Sequence, residues 1–186
     1  LSQGDRVGAI VFDDTELKVI PPHRSSDRVM QILKCVVDKN HALQAGGASH
    51  DTAGILDQAL KKLRALARHD CLVCLVSDGA GLDDESRRHI THLTEHNDVL
   101  ALFVYDPLEQ AIPDAGKLVF TDGSGQIEFN SAERRLREAY SADFEQRMEQ
   151  MRATSRRNSI PIIPVHTASP VLDQVREALG HRGRKG

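Results

Sequence analysis

Short unbroken apolar runs alternate along this chain with longer stretches in which apolar positions recur every third or fourth residue. That alternation predicts strands interleaved with amphipathic helices, an α/β layer architecture. The strand candidates are residues 7–12, 72–76 and 99–105, each rich in Val, Ile or Leu. Runs of this kind suit central strands of a parallel sheet covered on both faces. Ile55, Leu56, Ala59, Leu60, Leu63 and Leu66 mark one helix, with Asp51 or Thr52 as its N-cap. Val29, Met30, Leu33, Val36 and Val37 mark an earlier one, and Asp83 or Asp84 opens a third, more polar helix running towards His96.

The second half changes character. Residues 117–121 and 126–129 flank Asp122-Gly-Ser-Gly125, which predicts a β-hairpin. Ser131 is expected to cap a long helix whose stripe is Leu136, Tyr140, Phe144, Met148 and Met151, read as core packing. Ile160-Pro-Ile-Ile-Pro-Val165 is strand-like but carries two prolines, which places it at a sheet edge. Ser169-Pro170 starts a last helix to Leu179, with Gly180 as its stop and a basic tail over 181–186.

Composition narrows the class. At 186 residues the chain can bury a core without disulfides or a structural metal, and one domain over 1–180 is expected. A net charge of −3 excludes a strongly basic nucleic-acid or membrane-surface binder. No apolar run approaches the roughly 18 residues of a membrane helix, and no secretory signal opens the sequence. With three cysteines a disulfide framework is not expected, and the cytoplasm is the expected compartment. Cys71 and Cys74 form a C-x-x-C inside a strand, where residues three apart face opposite ways, so they read as buried hydrophobes.

In open α/β sheets ligands bind beyond the carboxyl ends of the strands. Asp13-Asp14-Thr15 follows the first run, Ser77-Asp78-Gly79 follows the second, and the loop Gly46-Gly-Ala-Ser-His-Asp-Thr52 opens a helix. Carboxylates and hydroxyls without thiols suit a hard cation such as Mg²⁺. A lone Asp after a strand also serves as a turn or helix cap. His89, His92 and His96 lie at helical spacing and read as exposed titratable surface, with a shared metal as the sharper alternative.

The landmarks in order are Gly4-Asp-Arg-Val-Gly-Ala-Ile-Val-Phe12, Gly46-Gly47 before an Ala/Leu-rich helix, and Leu72-Val-Cys-Leu-Val-Ser-Asp78. This series resembles a von Willebrand factor A domain. Val104-Tyr-Asp-Pro-Leu-Glu109, Ile112-Pro113, Gly116 and Phe120-Thr-Asp-Gly123 narrow the resemblance to a bacterial uncharacterised family that carries such a domain. Members of that family are often encoded beside MoxR-type AAA+ ATPases. The resemblance implies a Rossmann-like open sheet with flanking helices, plus a family-specific hairpin and long helix at about 117–157. It also implies a metal-ion-dependent adhesion site, of which this chain matches only part. Asp78 occupies the position after the fourth family strand, and Ser49 or Thr52 would supply a hydroxyl where the family has a Thr. Partner contacts are expected at Asp13, His50 and Gly79. The family's first strand and its Asp-x-Ser-x-Ser have no counterpart, so Mg²⁺ is expected in an intact protein rather than in this chain.

Residue 1 is Leu, and the chain is expected to be a piece of something longer. The family's first strand lies centrally, so its absence would leave unpaired backbone, each group costing about 1–3 kcal/mol. Extension upstream is expected to raise the melting temperature, and strand exchange into a homodimer is another way to fill the gap. The functional expectation is a non-enzymatic interaction module, an adaptor or chaperone partner of a MoxR-type ATPase, without nucleic-acid or membrane contacts. The chain lacks a phosphate-binding P-loop and a G-x-S-x-G elbow. The alternative is a Mg-dependent hydrolase or phosphatase using Asp13 and Asp78, for which Asp13-x-Thr15 and Asp14-x-Glu16 are partial matches. The arginines of the long helix, Arg134 to Arg157, read as a salt-bridged face or a dock for an acidic partner.

Overall fold

A computed structural model describes residues 5–13, 15–42, 52–121 and 126–182. It is a mixed α/β structure whose backbone divides into two compact units: residues 1–70, 81–96 and 121–126, and residues 71–80, 97–120 and 127–186.

In the first unit β1 (Val7–Phe12) pairs antiparallel with β2 (Leu17–His23). β2 was not legible in the sequence, because Pro21 and Pro22 interrupt its apolar pattern; the pair accepts them at its far end. The ladder shifts register between Val7 and Ala9. Gly8 sits there because a Cβ would come within 2.8 Å of the Ile20 carbonyl oxygen and the Pro22 nitrogen. α1 (Ser26–Ala42) and α2 (Thr52–Leu66) pack on this pair, and α3 (Asp84–Thr94) packs on α2. The core is Ile20, Cys35, Leu56, Ala59, Leu60, Ile90 and Leu93, all buried. Asp83 caps α3 as expected, accepting from the Ser86 N–H at 2.8 Å, and that bond holds its carboxyl below the usual range. The apolar stripe expected of α1 forms a helix but not a core. Met30, Leu33, Val36 and Val37 are exposed, and Cys35 alone among the α1 residues is buried.

In the second unit β3 (Leu72–Ser77), β4 (Asp98–Tyr105) and β7 (Ile162–His166) form a parallel sheet in the order β3-β4-β7. Of the three runs expected to be central, only β4 is central in the described sheet. β1 lies in an antiparallel pair and β3 at an edge. Under one face runs α5 (Arg134–Asn158), whose Phe144 and Met148 pack with the fully buried Phe103. The Phe103 and Tyr105 rings stack at 5.7 Å, and Phe144 lies 6.2 and 5.3 Å from them. α6 (Val171–Arg182) packs on β7, where Ile163 and Val165 are buried. It runs past Gly180, the expected stop, because one Gly within a helix costs only about 1 kcal/mol.

The hairpin forms from β5 (Lys117–Thr121) and β6 (Gln126–Asn130). Ser131 corrects an expectation, since it does not cap α5. The helix starts after Glu133 with no side-chain cap. The Ser131 hydroxyl is buried instead, donating to the Gly116 carbonyl at 2.8 Å and accepting from the Ala115 N–H at 3.0 Å. A short helix α4 (Pro107–Gln110) follows β4, opened by a capping box between Asp106 and Glu109. Glu109 also receives Arg147 of α5 at 3.2 Å.

Candidate functional site

The carboxyl end of β3 carries the residues expected at a cation site. Asp78 is exposed, and its Oδ1 accepts from the Ala80 N–H at 3.0 Å while Ser77 Oγ accepts from the Gly79 N–H at 3.1 Å. Gly79 has φ 77°, and a Cβ there would lie 2.9 Å from the Met151 Sδ. Glycine is favoured there by its backbone conformation, while the flexible Met151 side chain could give way to a Cβ. Asp78 is a turn cap in this geometry. Ser49 and His50 lie outside the described residues, and Thr52 is placed only as the first residue of α2. Among the described residues Asp78 offers this end of β3 one carboxylate, short of the six-oxygen shell of Mg²⁺.

Asp13 ends β1. Its Oδ1 accepts from the Thr15 N–H, the Thr15 hydroxyl and the Glu16 N–H at 2.9, 2.7 and 2.9 Å. Its Oδ2 takes Lys39 of α1 at 2.5 Å, and Lys39 also reaches Glu16 at 2.8 Å. The Lys39 bond, aided by Thr15 and Glu16 and opposed by burial, holds the Asp13 carboxyl well below the usual range. Burial pulls the Lys39 ammonium down, but its bonds to Asp13 and Glu16 raise it on balance. The carboxylate fastens the β1–β2 turn to α1, which is a structural use of the group a phosphatase would need as nucleophile.

A denser cluster lies between α2 and α3. His89 is buried, with Nε2 3.0 Å from Asp57 Oδ1 and 3.9 Å from Glu85 Oε1, and Nδ1 2.8 Å from Arg64 Nη1. Lys61 completes it at 2.9 Å from Asp57 Oδ2. The ligand atoms of Asp57, Glu85 and His89 lie within 4.8 Å of one another, close enough for one ion. Asp57 Oδ1 and His89 Nε2 are buried and, although at ion-pair distance, are not aligned as a hydrogen bond. Arg64 decides the chemistry. A guanidinium only donates, so it needs the lone pair on Nδ1, which leaves the ring proton on Nε2. A metal would need that Nε2 lone pair. The cluster fits a polar latch between two helices better than a cation site.

The remaining candidates separate. His92 is exposed and lies 2.9 Å from Glu95, so two neighbouring histidines of one helix face different surroundings. His89 corrects the expectation of exposed surface, because α2 covers it. The three cysteines form no disulfide, Cys35 is buried and Cys74 largely exposed, and partial desolvation pushes the Cys74 thiol up. Cys74 corrects the expectation of a buried hydrophobe.

A family model described as a protein of unknown function, DUF58, matches residues 1–162. The chain belongs to the DUF58 family. A crystal structure of the conserved hypothetical protein BatB from Bacteroides thetaiotaomicron is similar, with a TM-score of 0.48 and 14% identity over 97% of this chain and 80% of that one. No curated protein matches the chain. In this DUF58 chain the Asp57–His89 latch was beyond sequence reasoning. Glu85 and His89 are visible at i and i+4, but nothing in the sequence says that Asp57 and Arg64 lie across from them. Among the described residues no helix is long and apolar enough to cross a membrane.

Proposed function

We propose that this DUF58 chain is a non-enzymatic protein–protein interaction module, an adaptor or chaperone partner of a MoxR-type AAA+ ATPase. The observation that carries an interaction role is the outer face of α1. Met30, Leu33, Val36 and Val37 are 64, 53, 48 and 49% exposed and follow one another at helical spacing. Contiguous exposed apolar side chains on an ordered element mark association surfaces. Family membership and the sequence resemblance support the choice of ATPase. The resemblance would put Mg²⁺ at Asp78, and three cysteines outside any disulfide suit a reducing compartment such as the cytoplasm.

Biolayer interferometry against a purified MoxR-type ATPase, in Mg²⁺ and in EDTA, tests this reading. Binding is expected with a Kd of about 1–10 μM, weakened at least about tenfold by the double change Leu33→Asp, Val37→Asp. No binding at about 100 μM, or binding indifferent to the double change, refutes it.

A further inference from the structure

Within the second unit α5 and the sheet leave a cleft of about 350 Å³, at the small end of ligand clefts. Every residue lining it belongs to that unit, so the packing of β4, β7 and α4 on α5 shapes its walls. The floor is apolar. The Tyr105 and Phe144 rings lie 5.3 Å apart, and Ile162 and Pro164 stand on the same face of the sheet by their register with Ala101 and Phe103. The rim is charged and comes from one stripe of α5: Glu145, Arg152, Ser155 and Arg156 recur at helical spacing on one side of the helix.

Charge on that rim is unevenly placed. From Arg147 to its end α5 carries four arginines against one acid, Glu149, in a chain whose net charge is −3. Arg147 is held by Glu109 at 3.2 Å. Arg156 meets Glu149 at 2.5 Å, but the two side chains are 65 and 56% exposed, and a pair so solvated adds little to stability. Arg152 lowers the Glu149 carboxyl from a distance, yet no acid among the described residues lies at ion-pair distance from it. Glu145 stands seven residues before Arg152, about 10 Å along the helix axis. One end of the cleft is therefore negative and the other positive.

We infer that this cleft binds an acidic peptide segment, with a large apolar side chain flanked on one side by carboxylates. The apolar side chain lies on Tyr105, Ile162 and Pro164. The carboxylates reach Arg152 and Arg156, whose guanidinium forks suit them, and keep away from Glu145. Arg152 gains a close partner, and Arg156 exchanges Glu149 for a ligand carboxylate at small loss. A free small acid suits the cleft less well, because the cleft is open along one side and covers too little of a detached ligand. A peptide adds contacts along the rim, where the Gln110 amide can meet its backbone. A nucleic acid is opposed by Glu145 and Glu149, since its backbone binds by having many phosphates neutralised. The cleft shares no residue with the exposed α1 face, and its occupation does not depend on the ATPase.

Amide NMR of the isotope-labelled chain, titrated with the capped peptide Gly-Ser-Phe-Glu-Glu-Glu and with its reverse, reads affinity and place together. The better of the two is expected to bind with a Kd of about 10–100 μM in about 50 mM salt, and at least about fivefold more weakly in about 300 mM salt. Shifts should centre on Tyr105, Gln110, Ser155 and Ile162. Arg152 and Arg156 are exposed, so changing both to Gln should leave the circular dichroism intact and weaken binding at least about tenfold. Pro164→Glu, which sets a carboxylate on the floor from an exposed position, should act alike, as should alanine for the peptide's phenylalanine. Arg135→Gln, on α5 outside the cleft, should change nothing. No shift at about 1 mM peptide, shifts centred elsewhere, indifference to the double arginine change, or loss on Arg135→Gln overturns the proposal. So does equally tight binding of phenylacetate, which marks a small-acid site, or of an oligouridylate, which marks a nucleic-acid surface.

Discussion

The latch between α2 and α3 gives the sharpest test of the packing argument. His89→Leu removes a side chain that is 7% exposed and bridges Arg64 Nη1 at 2.8 Å and Asp57 Oδ1 at 3.0 Å. It removes the ring nitrogen that Arg64 meets among the described residues and takes the imidazole away from the buried Asp57 Oδ1, which has no aligned hydrogen bond to replace it. A buried polar group stranded in this way costs about 1–3 kcal/mol, and breaking a buried ion pair about 3–5 kcal/mol. The upper range does not apply, because Asp57 is 16% exposed and Lys61 still neutralises its other oxygen at 2.9 Å. The expected loss is therefore about 2–3 kcal/mol, or roughly 4–10 °C in a chain of this size. Asp57→Leu should cost about 1–2 kcal/mol, since it removes the carboxylate beside the buried His89 Nε2 and the partner of Lys61. The double variant removes both partners, so its loss should fall short of the sum by about 1–2 kcal/mol. Urea unfolding by circular dichroism, with amide exchange at Leu93 as a local probe of this unit, measures the cycle. Losses that add to within about 0.5 kcal/mol would show the contact to be incidental and refute the latch.

The Asp13 carboxyl is held below its unfolded value, so its contribution is present above the ordinary carboxylate range and is lost as pH falls through that range towards the folded value. Lys39 is raised, so its share is full below the ordinary lysine range and fades as pH rises through it. Asp13→Asn should thus cost about 1–2 kcal/mol near neutrality and progressively less towards pH about 2, by urea titration at each pH; an equal loss at both ends would contradict the ion-pair account. Ser131→Ala should cost about 1–2 kcal/mol by stranding the Ala115 N–H and speed exchange of that amide, whereas a loss of α5 helicity instead would restore Ser131 as its cap.

The sequence by itself determined which segments become strands and helices wherever one period dominated. The runs at 72–76 and 99–105 are strands, Asp83 caps α3, and Pro161 and Pro164 put β7 at an edge, because those signals are local. β2 is not legible in the sequence because two adjacent prolines hide an alternation that antiparallel pairing with β1 enforces. Tertiary structure alone decided what each apolar or polar face meets. His89 and His92 are three residues apart on one helix, yet one is buried against Asp57 and the other is paired with Glu95 in solvent. Ser131 has a capping residue's chemistry, but a carbonyl and an N–H from residues 115 and 116 reach it first. Leu72, Cys74 and Val76 read as core by composition, and only the sheet order shows that nothing covers them among the described residues. Periodicity records what an element can bury. Which neighbour buries it depends on contacts between residues far apart in the chain, and no local pattern encodes those.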